Sequence, residues 1–241
     1  MVHYRNILRD LFQKTKFYLR IIKGSELFFP LDIYIRKHIY GNYQAEWCIA
    51  ANTLNTDSIV YSIGVGTDIS FDLTIIEKYK CRVFAFDPTP RSINWLKNQA
   101  LPETFIFSPY GISNENGNII FYPPADTGHV SFSIEPVFSD RQNGISLPVK
   151  RLNTIMEIHG HQKINLLKMD IEGSEYNVIK DILDSSINIE QILVEFHHRF
   201  DKEAIDKTRN VVQNLKKAGY KIFYISPTGE EYSFIKGDSL N

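Results

Sequence analysis

From residue 58 onward, short apolar runs alternate with stretches of helical periodicity, and this alternation limits the fold more than any other feature. Strand-like runs occupy residues 58–63, 82–86 and 104–108. Apolar side chains recur at helical spacing between them, over residues 71–76 and 93–96. A β-α-β-α-β order predicts an α/β fold in which helices flank a mostly parallel sheet.

The alternation stops over residues 110–150, where Gly and Pro residues separate short strand-like pieces. We interpret this segment as a hairpin-rich insertion that contributes contacts to a substrate. Beyond it, helices are predicted near residues 152–158 and 202–218, and strands at 164–169, 191–196, 220–225 and 231–235. A turn at residues 227–229 joins the last two strands, which should form an antiparallel hairpin.

We interpret the first 50 residues as a separate helical extension. Apolar residues recur at helical spacing over residues 4–22, and a second short helix is predicted over residues 33–39. Residues 1–40 carry eight Lys and Arg against three acids, a net charge of +5. We expect the first helix to pack on its own domain or on a partner chain. The alternative is peripheral contact of residues 4–22 with an anionic membrane.

Composition and charge exclude several classes of protein. The net charge of −1 argues against an electrostatic nucleic-acid binder. No apolar run approaches the roughly 18 residues that a membrane span requires. Charged residues such as Arg9 and Lys14 interrupt the N-terminal region, so a secretory signal is not predicted. Cys48 and Cys81 lack metal-ligand spacing, and we expect buried free thiols in a reducing cytoplasm.

A glycine-containing turn follows the first strand of the alternation. Gly64 and Gly66 permit a tight turn close to a ligand, but Ile69 stands where a dinucleotide fingerprint has its third glycine. Asp87 closes the next strand, where a carboxylate can accept hydrogen bonds from both hydroxyls of an adenosine ribose. This combination favours S-adenosylmethionine, which has no pyrophosphate, over NAD. A structural role for Asp87 in the following turn is the alternative.

Three acids, Asp170, Glu172 and Glu175, follow the strand that begins at residue 164. Ligands bind at the carboxyl ends of the strands in an open α/β sheet. Carboxylates crowded there repel one another, so a cation or hydrogen-bond donor should lie nearby. For Glu175, and for Glu172 to a lesser degree, the alternative is that the acid only stabilises a helix N-terminus.

The next strand ends in Glu195, His197 and His198. Strand alternation places Glu195 and His197 on one face. The ordinary pKa of a histidine suits a general base near neutrality, although a structural histidine is an equal alternative here. An alcohol acceptor requires such a base, or a metal. We therefore predict Asp170, Glu172, Glu195 and His197 as catalytic. A divalent cation could also bind there, but no ligand spacing supports one, so no metal ligand is assigned.

The sequence resembles the FkbM family of S-adenosylmethionine-dependent methyltransferases over residues 58–236. The most distinctive piece is Lys168-Met169-Asp170-Ile171-Glu172-Gly173-Ser174-Glu175. The other matching pieces are Gly64-Val65-Gly66 with Asp68-Ile69-Ser70-Phe71, Phe86-Asp87-Pro88, Ser113-Asn114-Glu115-Asn116-Gly117 and Val194-Glu195-Phe196-His197.

The resemblance implies a Rossmann-like class I methyltransferase fold, with a seven-stranded sheet in a methyltransferase domain over residues 51–241. It also implies methylation of a hydroxyl oxygen. The family's cofactor site then corresponds to Gly64, Gly66, Asp68, Asp87 and Asp170, with the adenine near residues 111–113. Within that last range, Gly111 and Ile112 are assigned to the cofactor.

The leading hypothesis is therefore an S-adenosylmethionine-dependent O-methyltransferase that acts on a small molecule or a glycan. One rival is an NAD(P)-dependent Rossmann oxidoreductase, against which the missing third glycine argues. The other rival is a non-catalytic binding module on the same fold, against which the acids at the strand ends argue. The sequence does not identify the acceptor or the oligomeric state.

Overall fold

The computed structural model describes residues 2–43, 45–122, 144–199 and 202–240. The helices are α1 (Val2–Ile22), α2 (Ser70–Tyr79), α3 (Pro90–Leu96), α4 (Leu152–His159), α5 (Glu175–Asp184) and α6 (Lys202–Lys217). The strands are β1 (Lys37–Tyr40), β2 (Trp47–Ala50), β3 (Ile59–Ile63), β4 (Arg82–Phe86), β5 (Phe105–Ser108), β6 (Gly111–Ile112), β7 (Gly117–Phe121), β8 (Ile145–Lys150), β9 (Ile164–Met169), β10 (Ile189–Glu195), β11 (Tyr220–Ile225) and β12 (Glu231–Lys236).

Seven strands form the central sheet in the order β11-β12-β10-β9-β3-β4-β5. Neighbouring strands from β10 to β5 are parallel. Only β12 is reversed, because it pairs antiparallel with both β10 and β11. The predicted seven-stranded, mostly parallel class I methyltransferase sheet with an antiparallel C-terminal hairpin is confirmed.

Two apolar clusters cover the two faces of this sheet. Successive side chains of a strand point to opposite faces, and β4 follows this rule: Phe84 and Phe86 belong to one cluster, Val83 and Ala85 to the other. The first cluster includes apolar residues of α4, α5 and α6, and the second includes residues of α2, α3 and β2. All six residues of β9 are buried. This central strand therefore has no solvent-facing side, and any polar side chain on it needs a partner.

The expectation of a helix over residues 33–39 is wrong. Residues 37–40 form β1, which pairs antiparallel with β2. Gly41 makes the turn at φ +108, where an added Cβ would lie 2.1 Å from the Ala45 carbonyl oxygen. The side chain of Gln191 accepts a hydrogen bond from the Ala50 amide (2.9 Å), which ties the hairpin to the central sheet. A turn between two runs that suit strands therefore overrode the local helical spacing. The domain boundary at residue 50 stays a prediction.

The helix predicted over residues 4–22 is present as α1, although the side chains of residues 2–10 lie outside the described part. Phe17 is buried against the turn between β11 and β12, where an added Cβ on Gly229 would lie 2.3 Å from its ring. Leu11, Phe12 and Ile22 are exposed. Packing of α1 on a partner chain stays a prediction, and contact with a membrane stays the alternative. In the described chain, no helix is both long and apolar enough to span a bilayer.

The segment over residues 110–150 contributes a second sheet, with the strand order β6-β8-β7. The strands β7 and β8 are antiparallel, as the expected hairpin requires, and β6 pairs parallel with β8. Residues 123–143 of the predicted insertion lie outside the described residues. The second sheet buries a small cluster of its own, around Phe121, Leu147 and Val149.

The chain changes direction across the sheet between β3 and β9. From β3 it proceeds outward through β4 and β5, and it later returns to β9 and β10 on the other side. Gly64 follows β3 at φ +72, and an added Cβ there would lie 1.7 Å from the Asp170 carbonyl oxygen. The Asp170 amide donates to the Ile63 carbonyl at 3.1 Å. Only a glycine permits this close approach at the switch point.

Replacing Gly64 with alanine tests that approach, and Gly160 provides a matched control. Gly160 ends α4 at φ +70, with open space around an added Cβ. Each substitution forces a left-handed residue that costs about 1–2 kcal/mol, but only Gly64→Ala adds a backbone clash. We expect urea unfolding to show a clearly larger loss of unfolding free energy for Gly64→Ala than for Gly160→Ala. Equal losses would contradict the close approach.

Candidate active site

A pocket of about 240 Å³ opens at the switch point, beyond the carboxyl ends of β3 and β9. Open α/β sheets bind their ligands at this place. All the residues predicted to bind the cofactor line it: Gly64, Gly66, Asp68, Asp87, Gly111, Ile112 and Asp170. Glu172 and Glu195 of the predicted catalytic set line it as well. His197 contacts Asp170 and Glu172. The predicted residues therefore lie together at the carboxyl ends of the strands, as expected for an open α/β sheet. Their roles stay predictions.

Asp87 holds the glycine turn in place. Its Oδ2 accepts a hydrogen bond from the Gly66 amide (2.9 Å). Its Oδ1 accepts from the amide of Thr89 (2.9 Å) and from the Thr89 hydroxyl (2.6 Å). The structural alternative raised for Asp87 is thus real, because this carboxylate joins two loops. A carboxylate oxygen has two lone pairs, so Oδ2 keeps the capacity to accept from a ligand in the pocket.

Asp68 lies at the rim of the pocket and shapes the start of α2. Its Oδ1 accepts a hydrogen bond from the Ser70 amide (2.8 Å), and its Oδ2 accepts from the Asn42 side chain (3.3 Å). The backbone amide of Asn42 also donates to the Ser70 hydroxyl (2.7 Å). Asp68 therefore connects the N-terminal hairpin to the glycine turn while it lines the pocket.

Part of the pocket wall is apolar. Gly111 and Ile112, where the adenine was expected, line the pocket beside Phe86, Pro88 and Phe121. An added Cβ on Gly111 would lie 3.2 Å from the Pro88 ring. A flat aromatic ligand suits a wall of this kind, because its faces are apolar and its edges carry hydrogen-bonding groups.

Lys168 is a buried lysine within the otherwise apolar end of β9. Its ammonium donates to the Gly64 carbonyl (2.7 Å) and the Ile63 carbonyl (3.4 Å). It also lies 5.2 Å from the centre of the Trp47 ring, in a cation–π arrangement. Lys168 is the cation that the crowded acids were expected to require. It ties the end of β9 to the glycine turn.

The pocket is strongly acidic. Eight of its described lining residues carry carboxyl groups: Glu46, Asp68, Asp72, Asp87, Asp170, Glu172, Glu195 and Glu231. Among the same lining residues, Lys168 is the one lysine, and no arginine occurs. Like charges at this density raise the pKa of their neighbours or attract cations. The pocket is therefore suited to a positively charged ligand.

His197 lies within a cage of three carboxylates. Its Nδ1 is 2.7 Å from Glu175 Oε1, and its Nε2 is 3.2 Å from Glu172 Oε2 and 3.8 Å from Asp170 Oδ1. Burial would lower the pKa of His197, but Glu175, Glu172 and Asp170 together raise it well above its ordinary value. A raised pKa makes His197 less suited to a general base than a histidine with its ordinary pKa. Its catalytic role stays a prediction.

Two carboxyl groups beside His197 have raised pKa values. Burial, followed by the charge of Asp170, raises the pKa of Glu195 to about 9. Burial also raises the pKa of Asp170, against the opposing effects of Lys168 and His197. Groups with strongly perturbed pKa values cluster at functional sites. The ends of β9 and β10 are therefore the chemically distinctive edge of the pocket.

His198 belongs to a different network, on the other side of the strand end. Its Nε2 contacts Glu26 Oε1, and Arg199 pairs with Glu26 Oε2. Burial would raise the pKa of Glu26, but His198 and Arg199 outweigh it and lower that pKa. His198 and Glu26 are both buried. This network joins the segment after α1 to the core, so His198 has a structural role.

Sequence reasoning gave Lys168 and Asp72 no role in the site. It also missed part of the role of Glu175. Glu175 is wholly buried, and its carboxylate accepts hydrogen bonds from the amides of Gly173 (3.0 Å) and Ile171 (3.3 Å) as well as contacting His197. A lysine inside an apolar strand and an aspartate on the apolar face of α2 were signals in the sequence. The partner of Glu175 lies 22 residues away and left no local pattern.

The fold and the pocket define a Rossmann-like chain with the class I methyltransferase sheet and an acidic site at its switch point. A profile of the methyltransferase FkbM domain matches residues 58–222. Because the match covers more than half of the sequence, the chain belongs to the FkbM methyltransferase family.

Curated relatives are distant. The hexuronic acid methyltransferase AglP of Haloferax volcanii is 24% identical over 155 residues, which cover 63% of this chain and 61% of the relative. Probable methyltransferase-like protein 24 of Rattus norvegicus is 21% identical over 193 residues, covering 76% of this chain and 47% of the relative. The chain thus spans between about half and three fifths of the length of these relatives.

Solved structures align with the chain at lower sequence identity. Fibrillarin from Methanococcus jannaschii aligns with 76% of this chain and 68% of its own, at 14% identity and a TM-score of 0.44. Fibrillarin from Aeropyrum pernix, solved with natively bound S-adenosyl-L-methionine, aligns with 86% of this chain and 84% of its own, at 10% identity and a TM-score of 0.42.

Asp72 permits a test of the electrostatics through stability. It is buried in the first turn of α2, and its Oδ1 has no hydrogen-bond partner among the described residues. Burial raises the pKa of Asp72 from 3.8 to about 6, although Lys168 opposes the shift. The folded chain therefore binds this proton more tightly than the unfolded chain. The stabilisation that this bound proton gives the folded chain is lost as the pH rises from about 4 to about 6.

The variant Asp72→Asn cannot ionise at this position, so it should not show that loss. We expect its stability relative to the unsubstituted protein to rise between pH 4 and pH 7, by on the order of 2–3 kcal/mol. Urea unfolding at a series of pH values measures the difference. The exposed Asp57→Asn is the control for the loss of one carboxyl group. A stability difference for Asp72→Asn that stays constant with pH would contradict the raised pKa.

Proposed function

We propose that this chain is an S-adenosylmethionine-dependent methyltransferase that methylates a hydroxyl oxygen of a small molecule or a glycan. The observation that carries the proposal is the charge of the pocket, where eight carboxyl-bearing residues and one lysine line the described wall. S-adenosylmethionine brings a sulfonium and an ammonium, which such a wall attracts. NAD brings a pyrophosphate, which the same wall repels. The charge thus favours the methyl donor over the oxidoreductase alternative.

The two walls of the pocket suit the two ends of this cofactor. Asp87 Oδ2 has capacity left for a ribose hydroxyl, and Gly111 and Ile112 form part of an apolar wall for the adenine. At the other end, the buried Oδ1 of Asp72 is an acceptor for the ammonium of the methionine. An acceptor without a partner is costly to bury, so a ligand donor at this atom would stabilise the complex.

The methyl group would then face the ends of β9 and β10. Methyl transfer from a sulfonium is an in-line displacement, for which alignment of donor and acceptor supplies much of the rate. The acceptor hydroxyl also has to lose a proton. In this proposal Asp170, which lines this edge, accepts that proton. Glu195 lines the same edge, and its raised pKa of about 9 suits a protonated carboxyl group that donates a hydrogen bond. His197, enclosed by three carboxylates, acts as a support for these groups in this proposal.

A sugar is the acceptor class that one relative favours. The Haloferax volcanii relative is named as a hexuronic acid methyltransferase, and it aligns with 63% of this chain. The second sheet places Phe121 at the pocket wall, where the insertion can contact an acceptor. A cytoplasmic location stays a prediction, and peripheral membrane contact of α1 stays the alternative to its packing on protein.

Calorimetry with S-adenosylmethionine and with NAD tests the cofactor. We expect binding of S-adenosylmethionine and none of NAD. Asp87→Asn should weaken S-adenosylmethionine binding by about 1–3 kcal/mol, because it removes a charged acceptor. The same variant should lose some stability, since Asp87 also joins two loops. Asp57→Asn removes one charge far from the pocket and should leave the affinity unchanged. Preferential binding of NAD would contradict the assignment of the cofactor. Full affinity in folded Asp87→Asn would remove Asp87 from the binding site.

Methyl transfer is tested with isotope-labelled S-adenosylmethionine and a panel of neutral and uronic acid oligosaccharides. A methyl ether on a hydroxyl survives mild alkali, whereas a methyl ester on a carboxylate is released. We expect alkali-stable label, and at least tenfold slower transfer by Asp170→Asn. The exposed Asp57→Asn removes one charge outside the pocket lining and should transfer at nearly the normal rate. Alkali-labile label would contradict hydroxyl methylation, and full activity in Asp170→Asn would remove Asp170 from catalysis.

A further inference from the structure

Three potential metal ligands converge at the reacting edge of the pocket. One carboxylate oxygen each from Asp170 and Glu172, and one ring nitrogen of His197, all lie within 4.8 Å of one another. Asp170 and Glu172 follow β9 and His197 follows β10, so adjacent parallel strands deliver the set. We propose that Asp170, Glu172 and His197 bind a divalent cation of the Mn²⁺ type.

The spacing of the donor atoms fits one shared ion. The Nε2 atom of His197 is 3.2 Å from Glu172 Oε2 and 3.8 Å from Asp170 Oδ1. Ligands that bind one ion at about 2.1 Å, on neighbouring positions, lie roughly 3–4 Å apart. No large movement of the side chains is needed to close the coordination sphere. The partial exposure of Asp170 and Glu172 toward the pocket leaves room for an acceptor oxygen or water as further ligands.

The second ring nitrogen of His197 provides an independent indication. Its Nδ1 faces the wholly buried Glu175 at 2.7 Å. Glu175 is itself held by the amides of Gly173 and Ile171. A carboxylate behind a histidine orients the ring and directs the other nitrogen at a metal, which is the usual arrangement in protein metal sites. Glu175 is thus a positioning residue for the ion rather than a ligand.

The surrounding carboxylates favour a cation at this place. Glu231 lines the same pocket as Asp170 and Glu172. The ammonium of Lys168 bonds to the carbonyls of Ile63 and Gly64 on the side of the glycine turn. A proton on His197 is the competing occupant, and it would supply one positive charge. A divalent ion supplies two and binds both carboxylates directly.

The donor types select the kind of metal. Two carboxylate oxygens and one imidazole nitrogen suit Mn²⁺ better than Mg²⁺, which prefers oxygen alone. The two cysteines are buried free thiols outside the ligand set, so soft metals gain no thiolate there. If the proposed methyl transfer is correct, the ion would bind the acceptor oxygen and lower its pKa. It would also offset the repulsion between this acidic wall and a uronic acid.

Cation binding is measurable without any acceptor or methyl donor. The full-length protein is treated with a chelator and titrated with Mn²⁺, while electron paramagnetic resonance follows the free ion. We expect one Mn²⁺ bound per chain, and pulsed resonance should detect coupling of the bound ion to an imidazole nitrogen. That coupling should vanish in His197→Gln loaded with excess Mn²⁺. Bound Mn²⁺ without nitrogen coupling, or no binding at all, would overturn the proposal.

Variants identify the remaining ligands. Asp170→Asn, Glu172→Gln and Glu175→Gln should each weaken Mn²⁺ binding about tenfold or more. Glu46→Gln removes the same charge from the pocket outside the ligand set and should change the affinity little. Equal effects of Glu46→Gln and the ligand variants would reduce the site to general charge attraction and contradict it. The nitrogen coupling in the unsubstituted protein remains decisive if a variant fails to fold. Loss of S-adenosylmethionine binding with intact Mn²⁺ binding would contradict the proposed function alone.

Discussion

The structure depends on the contact between the glycine turn after β3 and the end of β9. An added Cβ on Gly64 would meet the Asp170 carbonyl oxygen at 1.7 Å, and Lys168 donates to the Gly64 carbonyl at 2.7 Å. This contact brings two loops from distant parts of the chain to a single point. One loop is suited to the methionine end of a cofactor, and the other carries the acids at the reacting edge. The pocket exists because these two backbones touch.

The charge of this pocket opposes folding. Burial raises the pKa of Asp72 to about 6 and that of Glu195 to about 9, so both groups destabilise the folded chain when they are ionised. Proteins tolerate such a loss of stability at functional sites, where a bound ligand can offset the buried charge. A cationic methyl donor would compensate the side near Asp72. A divalent ion would compensate the side near Asp170.

Much of this arrangement followed from the sequence, because strand ends in a parallel sheet meet at one edge. That rule placed Asp170 and Glu195 at one edge, and the ribose-binding pattern after the glycine turn added Asp87. All three line the pocket. The β1–β2 hairpin was missed because its short strands match helical spacing equally well. The raised pKa of His197 was not predicted, because it depends on Glu175, which lies in another element. Contacts between elements, rather than local patterns, decide such details.

A crystal structure of the protein with S-adenosylhomocysteine would test the central claim most directly. The account predicts the ribose hydroxyls on the carboxylate of Asp87 and the adenine against Gly111 and Ile112. The sulfur should face the edge formed by Asp170 and Glu195. A nucleoside bound away from the end of β4, or a sulfur directed away from β9 and β10, would contradict the account.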